Sequence, residues 1–349
     1  MKTKTIVLTG GGTAGHIMPN IALIDELKKH FDKIIYIGSS GMEKDIVKKY
    51  NIPFYEITAS KFTRKLSFKL VALPFKLLKS IKETKKILKQ LNPDVIFSKG
   101  GYVSVPVAIA GKKLKIPVIT HESDLSMGLA NKIIARYAKN VCVSFPVTVK
   151  ENKKCIYTGS PIRKEIFEGN KQNVLKECYF DTNKPIILFV GGSLGAKAIN
   201  DFVTNNIGKL AQKYNIIQIA GKNANEINKK NYKKIKFANN IQDYFSASDI
   251  VVSRSGANTI FELCSIAKPM ILIPLPKGNS RGDQVENAKY FEDNNLAYVI
   301  PQEKLNYTNL VYEIEKTLKN KEKLQNNMKK LDVKNANKKI VDIVLHCCK

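Results

Sequence analysis

KTIVLTGGGTAGH, residues 4–16, passes from an apolar strand through a glycine turn into a helix. Residues 4–8 read as a buried strand, and the helical pattern beyond the turn carries Ile21, Leu23, Ile24 and Leu27. The same unit returns at PIILFV, residues 185–190, followed by the turn GGSLG, residues 191–195, and a helix from Ala196 onward. Strand, glycine turn and helix in that order open a parallel α/β domain. A chain of 349 residues is too long for one ordinary core, so two openings predict two domains.

Short apolar runs continue both halves. Residues 33–37, 95–97, 118–120 and 141–143 read as strands in the first half, and 216–220, 250–252 and 270–273 in the second, with helical segments between them. That alternation predicts an α/β fold of two Rossmann-like, doubly wound parallel-sheet domains facing a central cleft. Boundaries are expected at residues 1–160, 161–334 and 335–349, the last being a helix that can return to the first domain.

Gly10, Gly12 and Gly15 satisfy G-x-G-x-x-G between strand and helix. Such glycines let a phosphate approach the backbone at a helix N-terminus. A dinucleotide site also wants an acid ending the second strand, to hold a ribose, but that strand ends Ile37-Gly38-Ser39-Ser40. No G-x-x-x-x-G-K-[ST] segment is present either. Further glycine turns follow strands at Gly100-Gly101 and at Ser255-Gly256-Ala257. Tight turns need glycine for their own sake; His16, Arg254 and Glu262 around them point instead to anion-seeking loops at strand ends. A carboxylate such as Glu262, one to two turns into its helix, suits a bidentate grip on ribose hydroxyls, and equally suits a solvated helix face.

The net charge of +28 favours acidic partners, although lysine and asparagine abound throughout the chain. No helix-turn-helix, zinc-finger or RNP pattern accompanies it, so no nucleic-acid partner is expected. Six cysteines lack metal-ligand spacing and read as buried thiols of a reducing compartment. Residues 1–4 lead directly into a strand without an apolar signal core, and no apolar run is long enough to span a bilayer. A cytoplasmic location is expected.

Seven ordered motifs carry a resemblance over nearly the whole chain. They are GGTAGH (11–16), GGYVS (100–104), HESD (121–124), GSPIR (159–163), GGSLGA (191–196), RSGA (254–257) and DQVENA (283–288). In these the chain resembles the MurG family, bacterial transferases that add N-acetylglucosamine to the lipid-linked muramyl-peptide precursor of peptidoglycan. The resemblance implies a GT-B fold and an inverting, UDP-N-acetylglucosamine-dependent transfer to lipid I, giving lipid II. A different lipid-directed UDP-sugar transferase is the alternative. Carried over by position, the Ala238 backbone would meet the uracil and Glu262 the ribose. Ser193 and the amides around Ala257, Asn258 and Thr259 would hold the diphosphate. Arg163 and Gln284 would touch donor phosphate or sugar. Thr13, Ala14, Gly15 and Tyr102 would line the substrate site from the first domain, with His16 at the reacting centre. Asp124 stands where the family often has an amide that meets the sugar, and an ionised carboxylate accepts but does not donate.

The family reaction needs a base and charge stabilisation on the departing diphosphate. His16 is the expected base, with a hydrogen bond to the diphosphate as its rival role; Glu122 is a second candidate base. The chain has no Asp-x-Asp, so no metal and no cofactor is expected, and helix N-termini with Arg163 would supply positive charge. Residues 61–89 hold ten basic residues and one acid among apolar ones. That pattern suits an anionic inner-leaflet surface and a peripheral position on the cytoplasmic face of the membrane. One apolar stripe of it is expected to pack on the sheet, which leaves the residues before Pro74 for the membrane.

Overall fold

The computed structural model describes residues 3–59, 73–191, 195–278 and 281–348. The chain divides into unit 1, residues 1–163 and 334–349, and unit 2, residues 164–333.

Unit 1 is built on seven strands: β1 (Thr5–Thr9), β2 (Lys33–Gly38), β3 (Phe54–Glu56), β4 (Val95–Ser98), β5 (Val118–Glu122), β6 (Asn140–Val143) and β7 (Cys155–Tyr157). They pair in the order β3-β2-β1-β4-β5-β6-β7, all parallel. Side chains alternate across a strand, and here both faces are dry. Val7, Ile35, Ile96 and Val118 enter one core cluster, while Ile6, Leu8, Phe97 and Ile119 enter another. This is why the strands read as unbroken apolar runs. The helix Ala336–Cys347 belongs to unit 1: Ile340, Val341, Val344 and Cys347 pack with Ile6, Leu8 and Phe97. Asn337 fixes it further, donating to the carbonyls of Ala22 and Ile162 and accepting the Ile162 N–H.

Unit 2 repeats the plan with β8 (Ile186–Val190), β9 (Asn215–Ile219), β10 (Ile227–Lys229), β11 (Tyr232–Ile235), β12 (Ile250–Ser253), β13 (Met270–Leu272) and β14 (Tyr298–Val299). The order is β10-β11-β9-β8-β12-β13-β14, with only the β10–β11 pair antiparallel.

Several boundaries differ from the sequence reading. The fifth strand extends through His121 and Glu122, all five residues buried, so both lie within the sheet. His16 lies in the first turn of the helix Ala14–Ala22, whose N-cap is Thr13. The short strands β3, β7, β10, β11 and β14 lack long apolar runs. Four of them are sheet edges and β11 lies beside one, where one side stays wet.

In the helix Leu73–Leu91, Ile81 and Leu88 are buried and Leu77, Ile87 and Leu91 pack beside them. Phe75 and Leu78 are 72% and 61% exposed, among exposed Lys76, Lys79, Lys82 and Lys86. Residues 61–72, the membrane candidates before Pro74, lie outside the described residues. Among the described residues, no helix is long and apolar enough to cross a membrane.

Candidate functional site

Each sheet reverses its direction of growth once: between β1 and β4 in unit 1, and between β8 and β12 in unit 2. In an open α/β sheet, ligands bind beyond the carboxyl ends of the strands at such a switch point. A glycine turn follows each of these four strands: Gly10–Gly12 after β1, Gly100–Gly101 after β4, Gly191 after β8 and Gly256 after β12.

In unit 1 the two turns interlock. Gly101 has φ +80°, and a methyl group there would lie 2.5 Å from the Gly11 carbonyl oxygen and 3.1 Å from His16 Cδ2. Gly12 has φ +84°, and a methyl there would meet the Tyr102 ring at 2.5 Å. Close packing therefore demands these glycines, and it brings His16, Tyr102 and the segment Thr13, Ala14 and Gly15 into one cluster. His16 and Tyr102 are half-buried. Beneath the turn, the fully buried Glu43 carboxylate accepts from the Ser39 N–H and hydroxyl and, at 3.4 Å, from the Gly12 N–H. An internal carboxylate thus takes an amide that a dinucleotide pyrophosphate would want, and nothing in this agrees with a dehydrogenase.

Beside this cluster lies a second knot. Glu122 is 5% exposed; it accepts from the N–H groups of Asp124 (3.0 Å) and Gly128 (2.9 Å) and from Asn131 Nδ2 (2.9 Å). These bonds hold the loop that carries half-buried Asp124. They leave Glu122 poorly suited to take a proton from a substrate, because protonation would abolish acceptors on which three donors depend. Lys99, 1% exposed, donates from Nζ to Ser123 Oγ at 2.6 Å. Burial pushes its ammonium down to about 8, opposed by the nearby carboxylates of Glu122 and Asp124. His121 places Nε2 2.9 Å from the Gly159 carbonyl, so Nε2 carries the proton. Burial, aided by Lys99, holds its pKa well below 6.5. Arg163, half-buried, follows Ile162, whose backbone Asn337 holds on both sides.

In unit 2 the turn after β12 differs in kind. Gly256 has φ −68° and ψ 131°, open to any residue, and a methyl there would meet nothing within 4 Å. Neither backbone nor packing requires a glycine. It caps the helix Ala257–Ser265, which has no side-chain cap and no acid in its first turn. Uncapped, positively poled and sterically open, the Ala257 end is a place for an anion. Ala257, Asn258 and Thr259 form its first turn, and half-buried Glu262 lies one turn further. Gln284 is tied to the same turn: its carbonyl accepts from Ser255 Oγ at 2.7 Å, and its Oε1 accepts the Leu275 N–H. Asn287 adds a bond to the Ser255 carbonyl. Ala238 is in the loop between β11 and the helix Ile241–Ala247. Ser193 lies outside the described residues.

Arg254 corrects an expectation. Its guanidinium donates to the carbonyls of Ile273 and Pro274 and to Gln302 Oε1, bracing β12 against the segment after β13 rather than serving as an anion ligand. Sequence reasoning passed over Lys99, Glu43, Asn131 and Asn337. Only Lys99 had a signal, a charged residue directly before a glycine pair.

The glycosyltransferase family 28 N-terminal domain matches residues 6–143, and the family 28 C-terminal domain matches residues 186–343. The chain belongs to glycosyltransferase family 28. Within that family it is 46% identical, over 98% of both chains, to the UDP-N-acetylglucosamine–N-acetylmuramyl-(pentapeptide) pyrophosphoryl-undecaprenol N-acetylglucosamine transferase of Clostridium botulinum strain Kyoto. The Clostridium tetani enzyme of the same name is also 46% identical, over 98% of this chain and 97% of its own. Among solved structures, Acinetobacter baumannii MurG superposes with a TM-score of 0.77 at 27% identity, covering 98% of this chain and 99% of that one. This family 28 chain accordingly has the GT-B fold, two seven-stranded α/β units that are parallel but for the β10–β11 pair.

Proposed function

We propose that this chain transfers N-acetylglucosamine from UDP-N-acetylglucosamine to the C4 hydroxyl of undecaprenyl-pyrophosphoryl-N-acetylmuramyl-pentapeptide, converting lipid I to lipid II with inversion at the donor carbon. The observation that carries the reading is the open, uncapped helix start at Gly256, in a chain whose relatives are named for that transfer.

The donor belongs to unit 2. The amides of Ala257, Asn258 and Thr259 and the helix dipole stabilise the diphosphate, most strongly as UDP departs with its full charge. Glu262 takes the ribose hydroxyls, Gln284 and Arg163 meet phosphate or sugar, Ser193 adds a diphosphate contact, and the Ala238 backbone meets the uracil. From β12 to β11 there are three strand steps, about 14 Å at ~4.8 Å each, a span along which a sugar nucleotide can extend. The acceptor belongs to unit 1. There His16 takes the C4 hydroxyl proton as the oxygen attacks C1, and Thr13, Ala14, Gly15, Tyr102 and Asp124 line the site. Glu122 shapes the loop and is not the base.

The chain works as a peripheral protein on the anionic inner leaflet, through Phe75, Leu78 and the lysines between and beyond them. Each lysine near such a surface contributes about 1 kcal/mol. Reversing Lys76, Lys79 and Lys82 to glutamate is expected to abolish low-salt sedimentation with anionic vesicles; unchanged sedimentation removes this helix from the membrane contact.

The function itself is tested by calorimetry of UDP-N-acetylglucosamine, UDP-N-acetylgalactosamine and UDP-glucose, followed by transfer to short-chain acceptor analogues. Preferred binding of the first and transfer to a muramyl lipid are expected. Transfer to diacylglycerol instead would identify another lipid-directed transferase, and no UDP binding at all would refute the reading.

A further inference from the structure

Lys99 is a buried ammonium that the fold does not need. An apolar side chain of similar volume packs a β-strand end at least as well, because removing a charge from water is costly even when the charge is paired. Its backbone is already fixed by an N–H bond to the Thr9 carbonyl, and its Cβ sits against Gly10. What its side chain does is cross from β4 to the end of β5. There Nζ grips Ser123 Oγ, and the carboxylates of Glu122 and Asp124 face it. The other titratable neighbours are His121 on β5 and Cys142 on β6. Burial keeps the first neutral by lowering its pKa and the second neutral by raising it. The ammonium is therefore answered by two carboxylates, one buried in the knot and one on the half-buried loop. That loop, residues 123–128, is pinned at Asp124 and Gly128 by Glu122 and at the Leu125 carbonyl by Thr148 Oγ1.

We propose that Lys99 is a positioning residue of the transfer reaction, whose charge holds loop 123–128, and Asp124 in particular, in the shape that receives the acceptor sugar. The inference rests on the transferase reading above. It gives Asp124 a reason to be a carboxylate: the cation behind it offsets part of the negative charge where an acceptor-only group faces a sugar hydroxyl. It also makes acceptor use depend on the protonation of a group that does not touch substrate. Lys99 is charged below about pH 8 and neutral above it, so the loop loses its cation as pH rises.

The test is steady-state transfer by the full chain with UDP-N-acetylglucosamine and a short-chain acceptor analogue, from about pH 6.5 to about 9.5. In wild type, kcat/KM for the acceptor is expected to fall above about pH 8. Lys99→Met is expected to raise acceptor KM by about 10-fold or more, the worth of a bond to a charged group, and to remove that alkaline limb while donor KM stays within about twofold. Lys99→Arg, charged throughout the range, is expected to shift the limb out of view. Adding Asp124→Asn to Lys99→Met removes the carboxylate that the lost ammonium faced and is expected to recover most of the loss; a merely structural lysine would show no such coupling. Lys268, in unit 2, also titrates near 8 but faces Asp249 and Lys321, so a limb that survives in Lys99→Met belongs elsewhere and overturns the proposal. Unchanged acceptor KM in Lys99→Met overturns it too. Calorimetric binding of UDP-N-acetylglucosamine reports folding of each variant. Should Lys99→Met fail to fold, Asp124→Asn alone decides: with one counter-charge gone the limb must move to lower pH, and an unmoved limb refutes the role. Absence of any transfer by wild type would defeat the transferase reading instead.

Discussion

Replacing Glu122 with glutamine separates a strut from a base. The carboxylate holds three donors, with Oε1 on the Asp124 N–H and Oε2 on the Gly128 N–H and Asn131 Nδ2. A glutamine keeps one acceptor oxygen. Its better orientation leaves that oxygen with the two donors at the Oε2 position and turns the NH2 group against the Asp124 N–H. One charge-assisted bond is then lost, about 1.5–3 kcal/mol, and two fall from charged to neutral strength, about 1 kcal/mol each. The expected destabilisation is therefore about 3–5 kcal/mol, a large part of the ~5–15 kcal/mol of an ordinary domain, yet short of unfolding it. Urea unfolding followed by circular dichroism should show an early transition for unit 1, while UDP protects the other. Transfer assays should show acceptor KM rising by about 10-fold or more, with donor affinity kept. A general base behaves differently, since its loss lowers kcat by ~100- to 10,000-fold with little change in folding. Stability within about 0.5 kcal/mol of wild type together with such a fall in kcat and an unchanged acceptor KM would refute the hydrogen-bond argument.

His16→Ala is expected to lower kcat by about 100-fold or more with UDP binding retained; near-normal turnover would clear His16 of the base role. Gly256→Ala adds a methyl in open space at φ −68°, so stability should hold within about 0.5 kcal/mol while UDP affinity falls by about 10-fold or more. Gly101→Ala, at φ +80° against the Gly11 carbonyl, should instead destabilise unit 1 by about 1 kcal/mol or more, and equal behaviour of the two variants in paired melts and titrations would contradict the distinction drawn between them. Because the folded-state pKa of His121 lies well below 6.5, the unfolded chain binds a proton that the native ring refuses as pH falls. Its contribution is whole above about pH 6.5 and declines below it by up to ~1.4 kcal/mol per pH unit, a slope that His121→Gln should remove from urea midpoints measured between about pH 6.5 and 5.

The central strands were legible because both of their faces are dry: TIVLT and IILFV contain little that could face water. The flanking strands were not. YKKI in β11 carries Lys233, which pairs with Glu177, and charges in a four-residue run do not read as sheet. Among site residues, chemistry was legible and partners were not. Arg254 beside a glycine turn reads as an anion ligand until the carbonyls of Ile273 and Pro274 are seen to occupy it. Glu122 at a strand end reads as a base until three donors converge on it. Arg254's partners come from the segment after another strand, while those of Glu122 are amides of the loop just beyond it, which converge only once that loop folds back.

The two halves open with similar letters, GGGTAG and GGSLGA, and the proposed function assigns the sugar nucleotide to the second. Spacing alone does not explain the asymmetry, but what fills the space does. In unit 1 the turn is tightly packed: Glu43 takes the Gly12 amide, the Tyr102 ring stands against Gly12, and Gly101 abuts Gly11. A diphosphate arriving there would meet a buried like charge, a repulsion strengthened by low dielectric. In unit 2 the corresponding turn after β8 is also packed, with a methyl at Gly191 meeting Ala196 N at 2.3 Å, but its neighbour at Gly256 is sterically open, and that openness, not the missing side-chain cap that the helix Ala14–Ala22 shares, sets it apart. Moving the anion preference between halves should therefore need only a change at Glu43. Glu43→Gln withdraws the internal charge and keeps an acceptor for the Ser39 hydroxyl. If the buried carboxylate is what bars unit 1 to phosphate, calorimetry of the variant should detect a second, weak site for inorganic pyrophosphate beside the UDP site, and a single site in both proteins would show that shape alone excludes it.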